Sequence, residues 1–475
     1  MRRRATLRAL GGVAALALGG TAATGQSRAS GQTLAPSGQL VLPGLKEVVV
    51  AGETAYAAVS DGFAVVDVSE PAAPTLRAEN RAILSEHPDG PLSDIYDVAV
   101  DGDRLAVVGP AHGGASLQAA VVYDVSDPAA PERVAVHETD FFNHNCDIAD
   151  GTVYLCGNDG ERNPLVTVDA ATGERLGSWS VVSVEPGWQD APTGVWPLHD
   201  VTVQNGVAYL AQWDAGTWMV DVNDPAVPEL RGRVRGQPVG DYVDMSSEES
   251  SIARVQVPGN DHFAAPNDDG SLVCIGAEAW DVGTEEQAAT PGGLHLYDVT
   301  DPADPQALAT IAAPETADEG FDGTWTSAHN FEIDGDTLVS SWYQGGVRSY
   351  DISDPTRPIL TGAYRDADAT SFWTAQHAGD GRFLAASRGD PGDSGADVDS
   401  DRAALYTFGL PEETTPATET ATPTPTPTPD PTETATPTPT PTAGEPTPTR
   451  SDGQPGFGLL AALSALAVGA WRRRE

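Results

Sequence analysis

Lysine is almost missing from this chain. Lys46 is the only one, and 26 basic residues face 69 acidic ones, a formal net charge of −43. A polyanion of that size repels phosphate backbones, so nucleic acid is excluded as a partner. Cysteine is nearly as scarce. With only Cys146, Cys156 and Cys274, the chain can close one disulfide at most. Cys146 and Cys156 flank one predicted hairpin, where a bond between them depends on register, and Cys146 also stands two residues after His144. Catalytic signatures are missing too. There is no phosphate-binding P-loop, no HExxH pair and no G-x-S-x-G elbow, which leaves the common nucleotide and serine-hydrolase mechanisms without support. The apolar runs at 9–18 and 458–471 are both short of the roughly 20 residues that a membrane-spanning helix needs.

What the chain does have is a repeat. FAVVDVSEPAAP from Phe63, AVVYDVSDPAAP from Ala120, LVTVDAATGERL from Leu165, TWMVDVNDPAVP from Thr217, LHLYDVTDPADP from Leu294 and VRSYDISDPTRP from Val347 share one pattern, and AALYTFGLP from Ala403 is a degenerate seventh copy. Each copy is a hydrophobic strand running into an aspartate, and a proline-bearing turn usually follows. The copies lie 45 to 77 residues apart, close to the roughly 40 to 50 residues of a propeller blade once insertions are allowed. Ahead of the signature strand, each unit carries a hairpin, as in Tyr96–Val100, Asp101-Gly102-Asp103 and Arg104–Gly109. A fourth strand follows the proline turn.

These strands resemble the LVIVD repeat family over residues 39–411. The implied fold is all-β, a seven-bladed β-propeller of four-stranded blades. The last unit lacks a fourth strand. Residues 39–44, Gln-Leu-Val-Leu-Pro-Gly, precede the first unit and can supply it, closing the ring and removing exposed sheet edges.

The two ends differ in composition from this body. Residues 1–30 carry arginines, then the apolar run, then small residues, and Arg3-Arg4-Ala5-Thr6-Leu7-Arg8 resembles a twin-arginine export signal. Residues 412–454 are Thr/Pro-rich, a disordered stalk by composition. Residues 455–475 join Pro455-Gly456-Phe457 to the second apolar run and a terminal arginine cluster, and they resemble the PGF-CTERM sorting signal. That resemblance implies processing by an archaeosortase and a lipid anchor, which would hold the repeats at the cell surface. An ordinary membrane helix is the other reading. The acid-rich, lysine-poor surface resembles that of salt-loving archaea, and a mildly acidic protein of a high-GC bacterium is the alternative.

The proline turns and hairpin turns are short and constant, and they belong to one face of the predicted propeller. The opposite face carries the long, unequal loops at 81–94, 181–198, 236–261, 277–293, 312–328 and 388–401, and function gathers where a scaffold varies. His144, His199, His262, His329 and His377 recur there, just ahead of the expected first strands of five repeats. Since first strands line the channel of a propeller, the five imidazoles form a candidate metal ring for copper or zinc. Capping of each strand by its histidine is the competing reading.

The segment His329–Pro355 resembles one blade of the selenium-binding protein and methanethiol oxidase family. That resemblance implies copper and sulfur chemistry, with His329 as a ligand and Glu332 as a nearby acid. Trp213, Trp325, Trp342 and Trp373 also fall on the varied face and are candidate ligand-stacking surfaces. The expected function is an exported, membrane-anchored surface propeller that binds a ligand at its histidine face. The alternative is a copper-dependent surface oxidase.

Overall fold

Every copy of the signature takes the same place, third from the axis in an antiparallel sheet. The computed structural model describes residues 31–282, 290–391 and 398–411. The segments read as export signal, stalk and sorting tail, with Arg3, Arg4, Pro455, Gly456 and Phe457, lie outside the described residues. Seven sheets surround one channel as the blades of a propeller. The innermost strands, in blade order, are Leu45–Ala51, Asp97–Asp101, Phe142–Ala149, Asp200–Gln204, Asp261–Pro266, Phe331–Asp334 and Phe372–His377.

The repeated aspartate makes a turn rather than a site. Asp124 accepts hydrogen bonds from the backbone N–H of Ser126 at 3.0 Å and from its hydroxyl at 2.6 Å. Asp67 does the same with Ser69, and Asp221, Asp298 and Asp351 accept the N–H two residues on. Such side-chain-to-backbone bonds end the strand and set the proline turn. Several of these turns lean on the third and outer strands of the preceding blade. Thr167 Oγ1 donates to the Pro225 carbonyl at 2.6 Å, and Thr407 Oγ1 to that of Pro71 at 2.6 Å. Gly232 shows how close the approach is: a Cβ there would stand 1.9 Å from the Pro302 carbonyl oxygen.

Because both faces of a blade pack on neighbours, the middle strands are apolar throughout instead of alternating. Thr54–Val59 is buried along its length, whereas the outer strand Thr75–Asn80 is largely exposed. The core is therefore a set of layers between blades, such as Tyr56, Phe63 and Val65 of blade 1 against Leu105, Val107 and Val121 of blade 2.

The ring closes through the N-terminal segment, as expected, with two differences. Pro36–Val41 pairs antiparallel with Ala404–Gly409, from Pro36 opposite Phe408 to Val41 opposite Ala404. The propeller thus starts ahead of residue 39. In addition, Gln32–Thr33 pairs in parallel with Gly362 and Ala363, which makes blade 6 five-stranded.

All three cysteines are free and buried. Cys146 sits opposite Leu155 in the blade 3 ladder, so Cys156 points to the other face of the sheet. The two thiols belong to different interblade cores, which rules out the bond that the sequence left open. Among the described residues, no helix is long and apolar enough to cross a membrane.

Candidate metal centre

At one mouth of the channel, four of the five expected imidazoles meet in a row. Ring centroids are 4.6 Å apart for His144 and His199, 3.5 Å for His199 and His262, and 4.9 Å for His262 and His329. His199, His262 and His329 are buried. The folded backbone sets their tautomers. His144 Nδ1 lies 3.0 Å from the Ala111 carbonyl, His199 Nδ1 2.9 Å from that of His262, and His329 Nδ1 2.7 Å from that of Trp373. A carbonyl only accepts, so in each ring Nδ1 carries the proton and Nε2 keeps its lone pair. Burial holds all four rings well below the ordinary histidine range, His144 at about 4, so they are neutral at neutral pH. Neutral imidazoles with Nδ1 tied to a carbonyl are the form in which histidine binds metals.

One pair is close enough to share an ion. Nε2 of His262 and Nε2 of His329 stand 3.3 Å apart. Two nitrogens bound at roughly 2.05 Å to one tetrahedral ion are separated by ~3.3 Å. Glu278 completes the group, since donor atoms of His262, Glu278 and His329 all lie within 4.8 Å of one another. Without a cation, His262 must donate from Nε2 to His329, which leaves its Nδ1 lone pair facing Glu278 Oε2 at 3.3 Å. That nitrogen has no hydrogen-bond partner. A proton on Glu278 or a metal ion between the imidazoles relieves that contact.

Glu278 is itself positioned. Tyr343 donates its phenol to Glu278 Oε1, and burial raises the Glu278 carboxyl to about 7. The Arg388 guanidinium lies 4.8 Å from the centroid of the Tyr343 ring, 5.0 Å from that of Trp325 and 5.8 Å from that of Trp373. Its charge favours the ionised form of Glu278. Trp373 packs on His329 with centroids 4.0 Å apart, and Trp280 and Phe321 back Trp325. Lys46, the single lysine, also points here, with Nζ 5.1 Å from the centroid of Tyr96. Burial, assisted by the charge of Arg388, lowers its ammonium to about 8.

The sequence-derived ring needs one correction. His377 ends the innermost strand of blade 7 and lies beside Asp334 and Asp268 at the opposite end of the channel. In its place at the mouth blade 7 presents Trp373, and His112 of blade 2 extends the imidazole row, 5.5 Å from His144. Glu332 is likewise remote from the mouth, accepting the His377 N–H at 2.5 Å. Trp342 is fully buried between blades 5 and 6 and offers no stacking surface. Trp213 lies near the row, its ring 6.2 Å from that of His199, and Trp325 and Trp373 line the mouth. Cys146 packs in an interblade core, away from the imidazoles. Glu278, His112, Lys46, Tyr96 and Arg388 escaped sequence reasoning. Glu278 does fall inside a loop that the repeat had marked as variable.

Similarity to known proteins reaches the repeats and the fold. The LVIVD repeat family matches residues 45–79, 198–235 and 350–366, which are blade 1, blade 4 and the end of blade 6. No curated protein matches the chain. Among solved structures it is similar to the Cps50 (Swd1) β-propeller domain of Myceliophteria thermophila at 8% identity and a TM-score of 0.51, over 78% of this chain and 99% of that one. The WD40 β-propeller domain of Doa1 aligns at 11% identity and a TM-score of 0.49, over 79% of this chain and 97% of that one. At such identities the first likeness concerns the fold alone.

Proposed function

We propose that this LVIVD-repeat propeller binds a transition metal of the copper or zinc class at its channel mouth, through His262, Glu278 and His329. The observation that carries the reading is the 3.3 Å separation of two imidazole nitrogens, one of them held as a bare lone pair by the Trp373 carbonyl. His199, in contact with His262, is the next donor along the row, and the remaining side of the ion would face the mouth. In this reading the protein is exported, anchored by its processed C-terminus through an archaeosortase, and presents the bound ion outside the cell. Its signal-like ends support that placement.

Metal analysis of protein purified without an affinity tag tests it. One equivalent of copper or zinc is expected, lost in His329→Ala while the circular dichroism of the fold is kept. Wild-type protein that neither contains nor takes up either metal ends the proposal. An oxidase is the second reading, favoured by Tyr343, a redox-capable phenol hydrogen-bonded to a metal-site carboxylate. Oxygen consumption with a thiol substrate by the copper-loaded protein, absent in Tyr343→Phe, separates it from binding alone.

A further inference from the structure

Each blade brings one side chain to the mouth from the head of its innermost strand, and the four imidazoles account for only four of the seven. Tyr96, directly before Asp97–Asp101, and Trp373, second in Phe372–His377, hold the same place in blades 2 and 7. In blade 1 it belongs to Lys46, second in Leu45–Ala51. Ring contacts link the members: Tyr96 lies 5.8 Å from His144, His329 4.0 Å from Trp373, and Trp373 5.7 Å from Tyr96. Lys46 stands in the blade between these last two, with Nζ 5.1 Å from the Tyr96 centroid. The circuit is aromatic or imidazole everywhere except at the one lysine of the chain.

That ammonium lacks a carboxylate. Lys46 is 6% exposed, yet among the described residues it enters no ion pair. The acids of the neighbouring strands are committed to other groups. Asp94 gives Oδ2 to His112, accepting the backbone N–H at 3.1 Å, with the ring Nδ1 at 2.9 Å. Glu47, the next residue after Lys46, accepts from Asn330 Nδ2 at 2.7 Å and from the Val48 N–H at 3.1 Å. Asp97 and Asp200, its counterparts in blades 2 and 4, accept from the Cys146 N–H and from Asn145 Nδ2.

A buried ammonium without a counter-charge is strongly unfavourable, and the face of Tyr96 offsets only part of the cost. A chain with 69 acidic residues had carboxylates to spare for this position and places none there. A second cation lies on the same circuit. The Arg388 Cζ is 5.8 Å from the Trp373 centroid, the ring that meets Tyr96, and Arg388 is buried as well. Its charge adds to the cost by opposing that of Lys46. Two buried cations on touching aromatic rings form a receptor for an anion.

We propose that the mouth binds a small organic monocarboxylate, its oxygens on the Lys46 ammonium and its body against Tyr96 and Trp373. An ammonium is a compact charge with three donors, which suits a carboxylate. A single negative charge is selected because the net −43 of the chain repels a ligand in proportion to its charge, which disfavours phosphates and dicarboxylates. The site uses none of His262, Glu278 and His329, so it stands whether or not a metal binds beside it.

Untagged protein, stripped of metal with EDTA, is titrated with sodium benzoate by calorimetry and by thermal melting at pH 7, where a Lys46 ammonium lowered to about 8 is still charged. One saturable site and a raised Tm are expected. Benzamide, the uncharged analogue of the same shape, should not bind. Lys46→Met should weaken benzoate binding about tenfold or more while keeping a single cooperative melt, since the change removes a buried charge. Three results overturn the proposal: no saturable benzoate binding by the stripped wild type, undiminished binding in Lys46→Met, or benzamide binding as tightly as benzoate. Benzoate binding in a protein that takes up neither copper nor zinc would end the metal reading and leave this one standing.

Discussion

His329 Nε2 faces His262 Nε2 across 3.3 Å, while the far side of the His329 ring packs on Trp373 at 4.0 Å. A metal bound between the nitrogens therefore sits one ring away from an indole. Copper(II) should quench tryptophan fluorescence in this protein and zinc, a closed-shell ion, should not. Trp373→Phe should remove a measurable part of the copper-dependent quenching without changing copper stoichiometry. Equal quenching in variant and wild type would place the copper elsewhere.

Burial raises the Glu332 carboxyl to about 7 from an ordinary 4.5. The folded state therefore binds more protons than the unfolded one between those values, so this group's stabilising contribution is present below about 4.5 and is lost as pH rises through about 7. Glu332→Gln keeps an acceptor for the His377 N–H and removes the titration. Measured on stripped protein, the Tm of the variant relative to wild type should climb between pH 5 and pH 8. A constant difference would contradict the shift.

Lys46 has the opposite sign. Its folded value of about 8 lies below the ordinary 10.5, so the unfolded chain binds the extra proton in that window and wild-type stability rises with pH across it. Below pH 8 the buried ammonium opposes folding by up to roughly 3 kcal/mol, offset in part by ~1–2 kcal/mol from its contact with Tyr96. Lys46→Met should be more stable than wild type at pH 7, and that advantage should shrink towards pH 10.5. Chemical denaturation at the two pH values reads it directly.

Gly232→Ala places a methyl group against the Pro302 carbonyl, at a spacing of 1.9 Å before any adjustment. The blade 5 turn must retreat from blade 4. Overpacking of this kind is expected to lower stability by about 1–3 kcal/mol, read as a lower denaturant midpoint with an unchanged slope. Alanine at the exposed Gly102 has open space around Cβ but a φ of +54°, and its smaller loss of about 1 kcal/mol serves as the backbone control.

Starting the chain at residue 43 would remove the closing strand together with buried Leu34 and Leu42, and leave Ala404–Gly409 as an open edge. Association in size-exclusion chromatography and loss of a single cooperative melt are expected. A monomer with the wild-type Tm would show that closure is dispensable.

The propeller was legible because its signal is repeated: six aspartates ending six strands define a period that no single loop can obscure. Closure was legible because the seventh unit lacked a strand and the chain began with a spare one. The mouth was read in part. His144, His199, His262 and His329 occupy equivalent places in successive blades, which spacing reveals. His377 misled because Trp-Thr-x-x-His occurs twice, yet the first copy ends ahead of the inner strand Phe331–Asp334 while the second starts inside Phe372–His377. The same five residues land nearly a strand apart. Glu278 sits in a loop with no period, and only folding brings it to His262. The buried carboxylates of the innermost strands were hidden for another reason. Glu47, Asp97 and Asp200 look like ordinary acids in a sequence that has 69 of them, and only their burial in a common channel sets them apart.

The pairing of Gln39 with Tyr406 and of Gly38 with Thr407 unites the first part of the propeller to be synthesised with the last. Blades 1 to 6 can leave a ribosome and still lack a finished ring, because the partner for the opening strand is among the final residues of the body. The mouth draws on both ends of the chain, with Lys46 over Tyr96 from blades 1 and 2 and Arg388 over Trp373 from blade 7. Completion of the mouth therefore arrives as a late, single event in the life of each molecule, and a polypeptide truncated at any point before residue 404 is excluded from it.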